Sequence, residues 1–350
     1  MVEGWPSPHL PTAGADPLFA VGFRWQDRAM RRWFSGLACL AIVAGAAACG
    51  GSSRAECGGG GTQPRPEVGG EILYTCYESS SQPGGLFLLN ASSGQVQRLT
   101  SDHAWNIDAS WSPDGQQIVY QSTREGRSDV YMMDISTKKV RRLSDGRGFN
   151  GYPSWSPDGM WIAYESSRDG IEGKEAPPGY YREIYLVRKD GTDLHRLLAT
   201  HASQSGAAWS PAGDQIAFAS HMAGAFDLYT VAPDGTGLRQ LTNHEGSGGF
   251  ATYPRWSADG SRIAFSATSS RSNHAEIYWM LAAGGEAHQV TDHPAADWDG
   301  WPDWSPDSRW IVFTRKQHGL QLFVTSPKGD SIVQLTYGAG DKDQPRWRPA

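Results

Sequence analysis

The stretch Trp111-Ser-Pro-Asp-Gly115 decides the fold of this chain, because it returns five more times in whole or in part. The other copies are Trp155-Ser-Pro-Asp-Gly159, Trp209-Ser-Pro-Ala-Gly213, Trp256-Ser-Ala-Asp-Gly260, Trp304-Ser-Pro-Asp-Ser308 and the opening Trp347-Arg-Pro349. The tryptophans are separated by 44, 54, 47, 48 and 43 residues. Periods of about this length are typical of β-propeller blades rather than of helical solenoids.

Each copy of the phrase except the one at the C-terminus is followed by three short strand patterns. In one unit these are Trp161-Ile-Ala-Tyr164, Glu183-Ile-Tyr185 and Arg196-Leu-Leu198, so each unit has four strands when the tryptophan strand is included. Ser, Pro and Gly occur in the phrase where a type I turn prefers them, which predicts a chain reversal between the first two strands. The phrase recurs in every unit whereas an active site occurs once, so we interpret its aspartate as structural and place the tryptophan between neighbouring blades.

The two ends of the repeat region complete each other. Residues 71–100 contain three strand patterns, Glu71-Ile-Leu-Tyr74, Leu86-Phe-Leu88 and Gln97-Arg-Leu-Thr100, without a tryptophan strand. The missing strand is Gln344-Pro-Arg-Trp347 at the C-terminus. The sequence therefore predicts an all-β fold for residues 71–350. This is a six-bladed β-propeller of four-stranded antiparallel blades, with the ring closed by the C-terminal strand joining the N-terminal blade.

The region before the repeats indicates export. Residues 30–48 have two arginines, an apolar run and a small-residue ending, as in a signal peptide. The ending Ala46-Ala-Ala-Cys49 resembles a bacterial lipoprotein cleavage box, although that box usually has leucine where this chain has Ala46. The resemblance implies lipidation of Cys49, with ordinary cleavage or an uncleaved anchor as alternatives. Residues 1–29 are interpreted as a disordered, overextended start, and residues 49–70 as a glycine-rich tether.

Of the four cysteines, Cys39 lies in the signal and Cys49 would carry the lipid, which leaves two. Cys57 and Cys76 could form a disulfide in an oxidising compartment, and the alternative is two unrelated thiols. No Cys or His spacing of the zinc-binding kind is present in the sequence, and we expect no cofactor.

The repeated pattern, from Trp-Ser-Pro-Asp-Gly through Ile-Ala-Phe and Ile-Tyr to Leu-Thr, resembles the PD40, or WD40-like, repeats of TolB-type periplasmic propellers. The blade ending Leu241-Thr-Asn-His244 is similar to that family as well. The resemblance covers residues 71–350 and implies a protein of the cell envelope. TolB itself has an α/β domain ahead of the propeller, where this chain has only the glycine tether, which puts the full TolB function in doubt. Related propellers precede serine hydrolase domains, but the sequence has no Gly-x-Ser-x-Gly elbow.

The residues just before each tryptophan are expected to ring the mouth of the central channel. Their amides, acids and aromatic rings suit recognition of a peptide or polar ligand, and the alternative is that they satisfy backbone groups in tight loops. A long insertion between Ser166 and Glu183 is expected on the same face. The binding candidates are Asn106, Asp108, Asn150, Tyr152, Gln204, Tyr253, Asp299, Trp301, Asp343 and Gln344, with Tyr180, Tyr181 and Arg182 in the insertion.

These observations favour a noncatalytic binding module, anchored to a bacterial membrane by lipid alone, whose partner is an envelope protein or peptide. The net charge of −6 and the lack of clustered Lys and Arg argue against nucleic acid. The alternative is a carbohydrate-active enzyme similar to oligogalacturonate lyases, which use histidines and a metal. Its candidate ligands follow the fourth strand in four blades, so blade geometry should hold them apart: His103, His201, His244 and His293.

Overall fold

The computed structural model describes Cys57, Arg65 and residues 67–77, 83–101, 103–169, 181–200, 202–268, 274–293 and 298–350. These residues form six four-stranded antiparallel sheets, the blades, whose strands run from the channel outwards. Blade 1 contains β24 (Asp341–Trp347), β1 (Glu71–Tyr77), β2 (Gly85–Asn90) and β3 (Val96–Arg98). Blade 2 contains β4 (Asn106–Trp111), β5 (Gln117–Ser122), β6 (Asp129–Asp134) and β7 (Val140–Arg142). Blade 3 contains β8 (Asn150–Trp155), β9 (Trp161–Ser166), β10 (Glu183–Arg188) and β11 (His195–Arg196).

The remaining blades repeat this order. Blade 4 contains β12 (Gln204–Trp209), β13 (Ile216–Ser220), β14 (Asp227–Val231) and β15 (Arg239–Gln240). Blade 5 contains β16 (Phe250–Trp256), β17 (Arg262–Thr268), β18 (Glu276–Leu281) and β19 (His288–Gln289). Blade 6 contains β20 (Trp298–Trp304), β21 (Ile311–Lys316), β22 (Leu320–Thr325) and β23 (Val333–Gln334).

The C-terminal strand closes the ring. Strand β24 pairs antiparallel with β1, in a register that places Trp347 opposite Ile72 and Lys342 opposite Cys76. The predicted six-bladed, all-β fold is thereby confirmed, including the blade shared by the two ends of the repeat region. Closure gives β1 a partner on the side that would otherwise be an exposed sheet edge.

Apolar side chains pack between the faces of adjacent blades. Leu73 and Leu88 of blade 1, for example, share one cluster with Ile118 and Tyr120 of blade 2. In blade 2, the second and third strands are buried on both sides, which explains the nearly continuous apolar sequence of β5 and β6. The outermost strands are short and exposed, as in β7.

The repeated phrase forms the turn between the first and second strands. In blade 2 the Gly115 N–H donates to the Ser112 carbonyl at 2.8 Å, and the Ser112 hydroxyl donates to Asp114 at 2.6 Å. The indole N–H of Trp111 donates to the carbonyl of Arg346 in blade 1 at 3.3 Å. The tryptophan therefore joins neighbouring blades, which is a structural role.

The strand directions give the propeller two faces. The turn face carries the repeated turns, and the channel-mouth face carries the loops that lead from each outermost strand to the innermost strand of the next blade. Within the described ranges, no helix is both long and apolar enough to cross a membrane.

Candidate functional site

Every innermost strand contains a β-bulge at the same position. The pairing of β4 with β5 shifts between Ile107 and Ser110, and corresponding shifts occur in the other five blades. One residue of each bulge has a left-handed backbone, with φ between 50° and 69°: Asp108, Tyr152, Gly206, Tyr253, Trp301 and Gln344. We call these six residues the bulge ring.

Five of the six ring residues are not glycine, although a left-handed backbone costs such residues roughly 1 kcal/mol or more. Bulges re-aim side chains and are frequent beside functional sites. Charges from separate blades act on one another here: the pKa of Asp108 in blade 2 responds to Arg346 of blade 1 and to Glu165 of blade 3. The bulge ring therefore brings side chains of different blades together at the channel.

Three aromatic residues of the ring are half-buried. Tyr253 of blade 5 and Trp301 of blade 6 have ring centroids 5.4 Å apart, and Trp298 meets Trp301 edge-on at 5.0 Å. On blade 3, Tyr152 lies 6.4 Å from Phe149. These rings offer partly exposed apolar surface beside polar groups, which is the chemistry of a peptide-binding surface.

The acidic side of the channel lies where the two ends of the propeller, β1 and β24, meet. Asp108 and Asp343 are each 4% exposed, and one carboxylate oxygen of each has no hydrogen-bond partner among the described residues. Burial raises the pKa of Asp108 to about 7, although the charge of Arg346 opposes the shift. Burial, followed by the neighbouring Asp108 carboxylate, raises the pKa of Asp343 well above its usual range. Both carboxyls are thus costly to ionise in place.

The long insertion is tied to the channel wall at its C-terminal end. Arg182 is 8% exposed, lies 3.8 Å from the centroid of the Phe149 ring and bonds to Glu165 at 3.5 Å. The other oxygen of Glu165 accepts the N–H of the ring residue Gly206 at 2.8 Å. Tyr181 is half-buried and its ring lies 6.4 Å from that of His221. Tyr180 lies outside the described residues.

Four of the sequence candidates are buried between neighbouring blades, in what we call the blade seams. They are the first residue of an innermost strand, or in blade 6 the second, and all are 0% exposed: Asn106, Asn150, Gln204 and Asp299. Asn150 bonds to Asp129 at 3.0 Å, and Asp299 accepts two hydrogen bonds from Arg315 at 2.7 and 2.6 Å. These side chains are engaged within the protein and do not present a surface to a ligand.

In blade 3, Gln204 takes the role of the Ser or Thr hydroxyl that ends the other blades. In blade 4 the Thr242 hydroxyl accepts the N–H of Leu228 at 2.9 Å, and the Ser or Thr of the Leu-Thr ending does the same in most other blades. Blade 3 has Leu198 at this position, and the side-chain oxygen of Gln204 accepts the N–H of Ile184 at 3.0 Å instead.

Four charged residues at the channel were not among the candidates predicted from the sequence. Arg255, Asp303 and Arg346 stand immediately before the repeated tryptophans, and Glu165 lies on a second strand. Burial raises the pKa of Asp303 and of Glu165 and lowers the pKa of both guanidinium groups. The signal that could have found three of them is variation between blades at the residue before the tryptophan, where the other blades have Ser110, Ser154 and Ala208.

The candidate histidine ligands do not form a metal site within the described residues, where no group of three or more His, Cys, Asp or Glu side chains is arranged to hold an ion. His244 instead bonds through Nδ1 to Asp227 at 2.7 Å, within its own blade. His201 lies outside the described residues, as does Cys49.

Cys57 and Cys76 form a disulfide, with Cα atoms 6.0 Å apart. Cys76 lies on β1 beside the closing strand, and a Cβ atom placed on Gly340 would lie 3.3 Å from both sulfur atoms. The disulfide therefore links Cys57, which precedes the propeller in sequence, to the strand at which the ring closes.

Comparison with known proteins identifies relatives of the propeller. The family model PD40, described as the TolB beta propeller domain, matches residues 64–174 and 246–350. An uncharacterised protein of Agrobacterium fabrum is 32% identical over 163 residues, which are 47% of this chain and 46% of that protein. The Tol-Pal system protein TolB of Anaeromyxobacter dehalogenans is 31% identical over 115 residues, 33% of this chain and 25% of the relative. The chain thus spans less than half the length of these curated relatives.

Solved structures share the fold. A crystal structure of TolB from Acinetobacter baumannii superposes with a TM-score of 0.69 at 24% identity, covering 80% of this chain and 67% of that one. An oligogalacturonate lyase in complex with manganese gives a TM-score of 0.54 at 16% identity, covering 79% of this chain and 76% of the lyase. At these identities the similarity concerns architecture alone.

Proposed function

Because the chain belongs to the PD40 family of TolB β-propeller domains, we propose that it is a noncatalytic binding module that holds a protein or peptide partner at the channel mouth. Two of its curated relatives are named as TolB proteins of the Tol-Pal system, a name that supports a role in protein assembly. The proposed partner is a protein or peptide of the bacterial envelope.

The bulge ring is the observation that carries this proposal. It retains five non-glycine residues in a strained backbone conformation and directs polar and aromatic side chains of different blades to one channel. Tyr152, Tyr253 and Trp301 provide half-buried rings of the type that is enriched in protein interfaces. The buried carboxyl oxygens of Asp108 and Asp343 could accept donors from an inserted peptide.

Site-specific photo-cross-linking in intact cells tests the proposal. A photoreactive amino acid at Tyr253 is expected to trap one protein, and the same amino acid at Met160, which is exposed on the turn face, is not. The trapped protein must then bind the purified propeller, and Tyr253→Asn with Trp301→Asn must weaken that binding at least about tenfold. Asparagine is chosen because it tolerates a left-handed backbone. Equal trapping at both positions, or unchanged binding by the variants, would overturn the proposal.

Export and lipid anchoring form a second part of the proposal. The signal-like residues 30–48 and the box ending at Cys49 support attachment of the propeller to a membrane through lipid. Mass spectrometry of the N-terminal peptide from membranes should show an acylated Cys49. The Cys49→Ser variant should move to the soluble fraction, and an unmodified, membrane-free wild-type protein would exclude the anchor.

The carbohydrate-lyase alternative has the fold in its favour, but among the described residues no cluster of metal-ligating side chains supports it. Purified propeller incubated with oligogalacturonate and manganese provides the test, with unsaturated product detected by its ultraviolet absorbance. Product formation that is lost on chelation would replace the binding-module proposal.

A further inference from the structure

Two arginines of the channel wall have no ion-pair partner among the described residues. Arg255 of blade 5 and Arg346 of blade 1 each stand immediately before a repeated tryptophan, and both are half-buried. The Nη1 atom of each donates to the carbonyl of the preceding proline, at 2.8 Å for Arg255 and 2.7 Å for Arg346. The two side chains therefore hold equivalent positions in their blades and make the same contact.

Both arginines face the channel. Blade 2 lies opposite blade 5 in a ring of six, and the charge of Arg255 still lowers the pKa of Asp108 in blade 2. The two arginines also act on one another. Burial lowers the pKa of Arg255 to about 9, and the next largest cause of this shift is the charge of Arg346. The two guanidinium groups thus share one space and repel each other.

The acidic side chains of the channel do not neutralise this pair. Asp303 of blade 6 stands between the two arginines in the ring, and both of their charges oppose the rise in its pKa that burial causes. Its Oδ2 atom accepts the N–H of Trp347 at 2.7 Å, and it supplies at most one negative charge to two guanidinium groups. Burial raises the pKa of Asp108 and of Asp343, which reduces the negative charge that these carboxyls contribute at neutral pH.

The two fully buried arginines of the described chain show what is missing here. Arg315 is 3% exposed and donates to both oxygens of Asp299, at 2.7 and 2.6 Å. Arg182 is 8% exposed and donates to Glu165 at 3.5 Å. Each of these guanidinium groups has a carboxylate of the chain as its partner, whereas the two arginines that are open to the channel have none.

The equivalent positions of the other blades add no further charge, because blades 2, 3 and 4 have Ser110, Ser154 and Ala208 before their tryptophans. We propose that Arg255 and Arg346 bind a carboxylate group of the peptide that the channel holds. A guanidinium group pairs with a carboxylate through two parallel hydrogen bonds, which makes a carboxylate the matching ligand. The inference rests on the proposed function and adds the chemistry of the partner: a peptide that inserts its C-terminus, or an Asp or Glu side chain, into the channel.

Four short peptides test this inference on the purified propeller, without the natural partner. N-acetyl-triglycine has a C-terminal carboxylate, and N-acetyl-Gly-Glu-Gly amide has a side-chain carboxylate. Their neutral counterparts are N-acetyl-triglycine amide and N-acetyl-Gly-Gln-Gly amide. The Nε–H resonances of Arg255 and Arg346 in NMR titrations provide the readout.

At least one acidic peptide should shift both resonances saturably and bind at least about fivefold more tightly than its neutral counterpart. The acidic peptide that binds more tightly identifies the source of the carboxylate. The inference is wrong if neither acidic peptide binds, if acidic and neutral peptides bind equally, or if inorganic phosphate binds more tightly than both acidic peptides. The proposed function is tested separately, by cross-linking at Tyr253, and does not depend on this result.

Three variants locate the site. Arg255→Gln should weaken binding of the acidic peptide at least about fivefold, whereas Arg309→Gln, which changes an exposed arginine of the turn face, should leave it unchanged. Asp303→Asn keeps an oxygen for the Trp347 N–H but removes the negative charge between the arginines, so it should strengthen binding about threefold or more. Misfolding cannot produce such a gain. Unchanged affinity in Arg255→Gln or in Asp303→Asn would show that the arginine pair is not the site.

Discussion

The side-chain oxygen of Gln344 accepts the backbone N–H of Asp108 at 3.1 Å, across the seam at which the two ends of the propeller meet. The same oxygen accepts the hydroxyl of Thr75 at 3.0 Å. The backbone N–H of Asp108 therefore has a partner, whereas its carboxyl is buried and one carboxyl oxygen has no partner among the described residues. Burial accordingly raises the pKa of this carboxyl to about 7.

This shift predicts that Asp108 lowers the free energy of unfolding by an amount that depends on pH. A carboxyl with a higher pKa in the folded than in the unfolded state binds protons more tightly when folded, so its effect on stability worsens as pH rises from about 4 to about 7. Asp108→Asn keeps the shape and tolerates the left-handed backbone but cannot ionise. We expect it to raise the free energy of unfolding at pH 8 by on the order of 2 kcal/mol, and by less at pH 5.

Urea unfolding at both pH values measures the effect. Asp292→Asn, which changes an exposed aspartate, is the control and should alter stability equally at the two values. A gain from Asp108→Asn that is the same at pH 5 and pH 8 would contradict the raised pKa.

The disulfide is expected to stabilise the closing seam. Cys57 and Cys76 are 19 residues apart, and a cross-link of that span restricts the unfolded chain by an amount worth about 3 kcal/mol. The free energy of unfolding of the double variant Cys57→Ser, Cys76→Ser should be lower than that of the wild type by about this amount. Reductant should destabilise the wild type to the same degree and leave the variant unchanged, whereas an insensitive wild type would show that the disulfide does not contribute.

The substitution of Gln204 for a threonine hydroxyl predicts a compensating pair. Gln204→Ala removes the acceptor of the buried Ile184 N–H and should cost about 1–3 kcal/mol. Leu198→Thr introduces the hydroxyl that other blades use and should recover part of that loss in the double variant. A double-mutant cycle of urea unfolding measures the coupling. Strict additivity would mean that the two side chains do not serve the same N–H.

The fold could be predicted from the sequence because its signals are local and repeated. The turn phrase, the apolar strands and the split first blade all indicate the same architecture. The closing strand can be predicted because the first blade lacks its tryptophan strand. Local sequence does not determine whether a polar side chain faces the channel or the seam between blades. Asn150 and Tyr152 are two residues apart, yet the first is buried against Asp129 and the second belongs to the bulge ring.

The bulge explains this difference. An extra residue in the innermost strand interrupts the regular alternation of side chains between the two sides of a strand, and the phrase that follows it gives no sign of the interruption. Charges such as Glu165 could not be found for another reason: their roles depend on contacts between blades that are distant in sequence, as in the hydrogen bond from Gly206. Only the closed ring shows those contacts.

Asp299 and Trp301, which are also two residues apart, should differ in what their replacement destroys. Asp299→Asn leaves the buried guanidinium of Arg315 without its counter-charge and should lower the free energy of unfolding by about 3 kcal/mol. Trp301→Asn removes a half-buried ring from the channel and should change stability by less, while it weakens binding of the cross-linked partner at least about tenfold. Urea unfolding and titration with that partner separate the two effects. An Asp299→Asn protein of wild-type stability would refute its seam role, and a Trp301→Asn protein with full affinity would remove Trp301 from the binding surface.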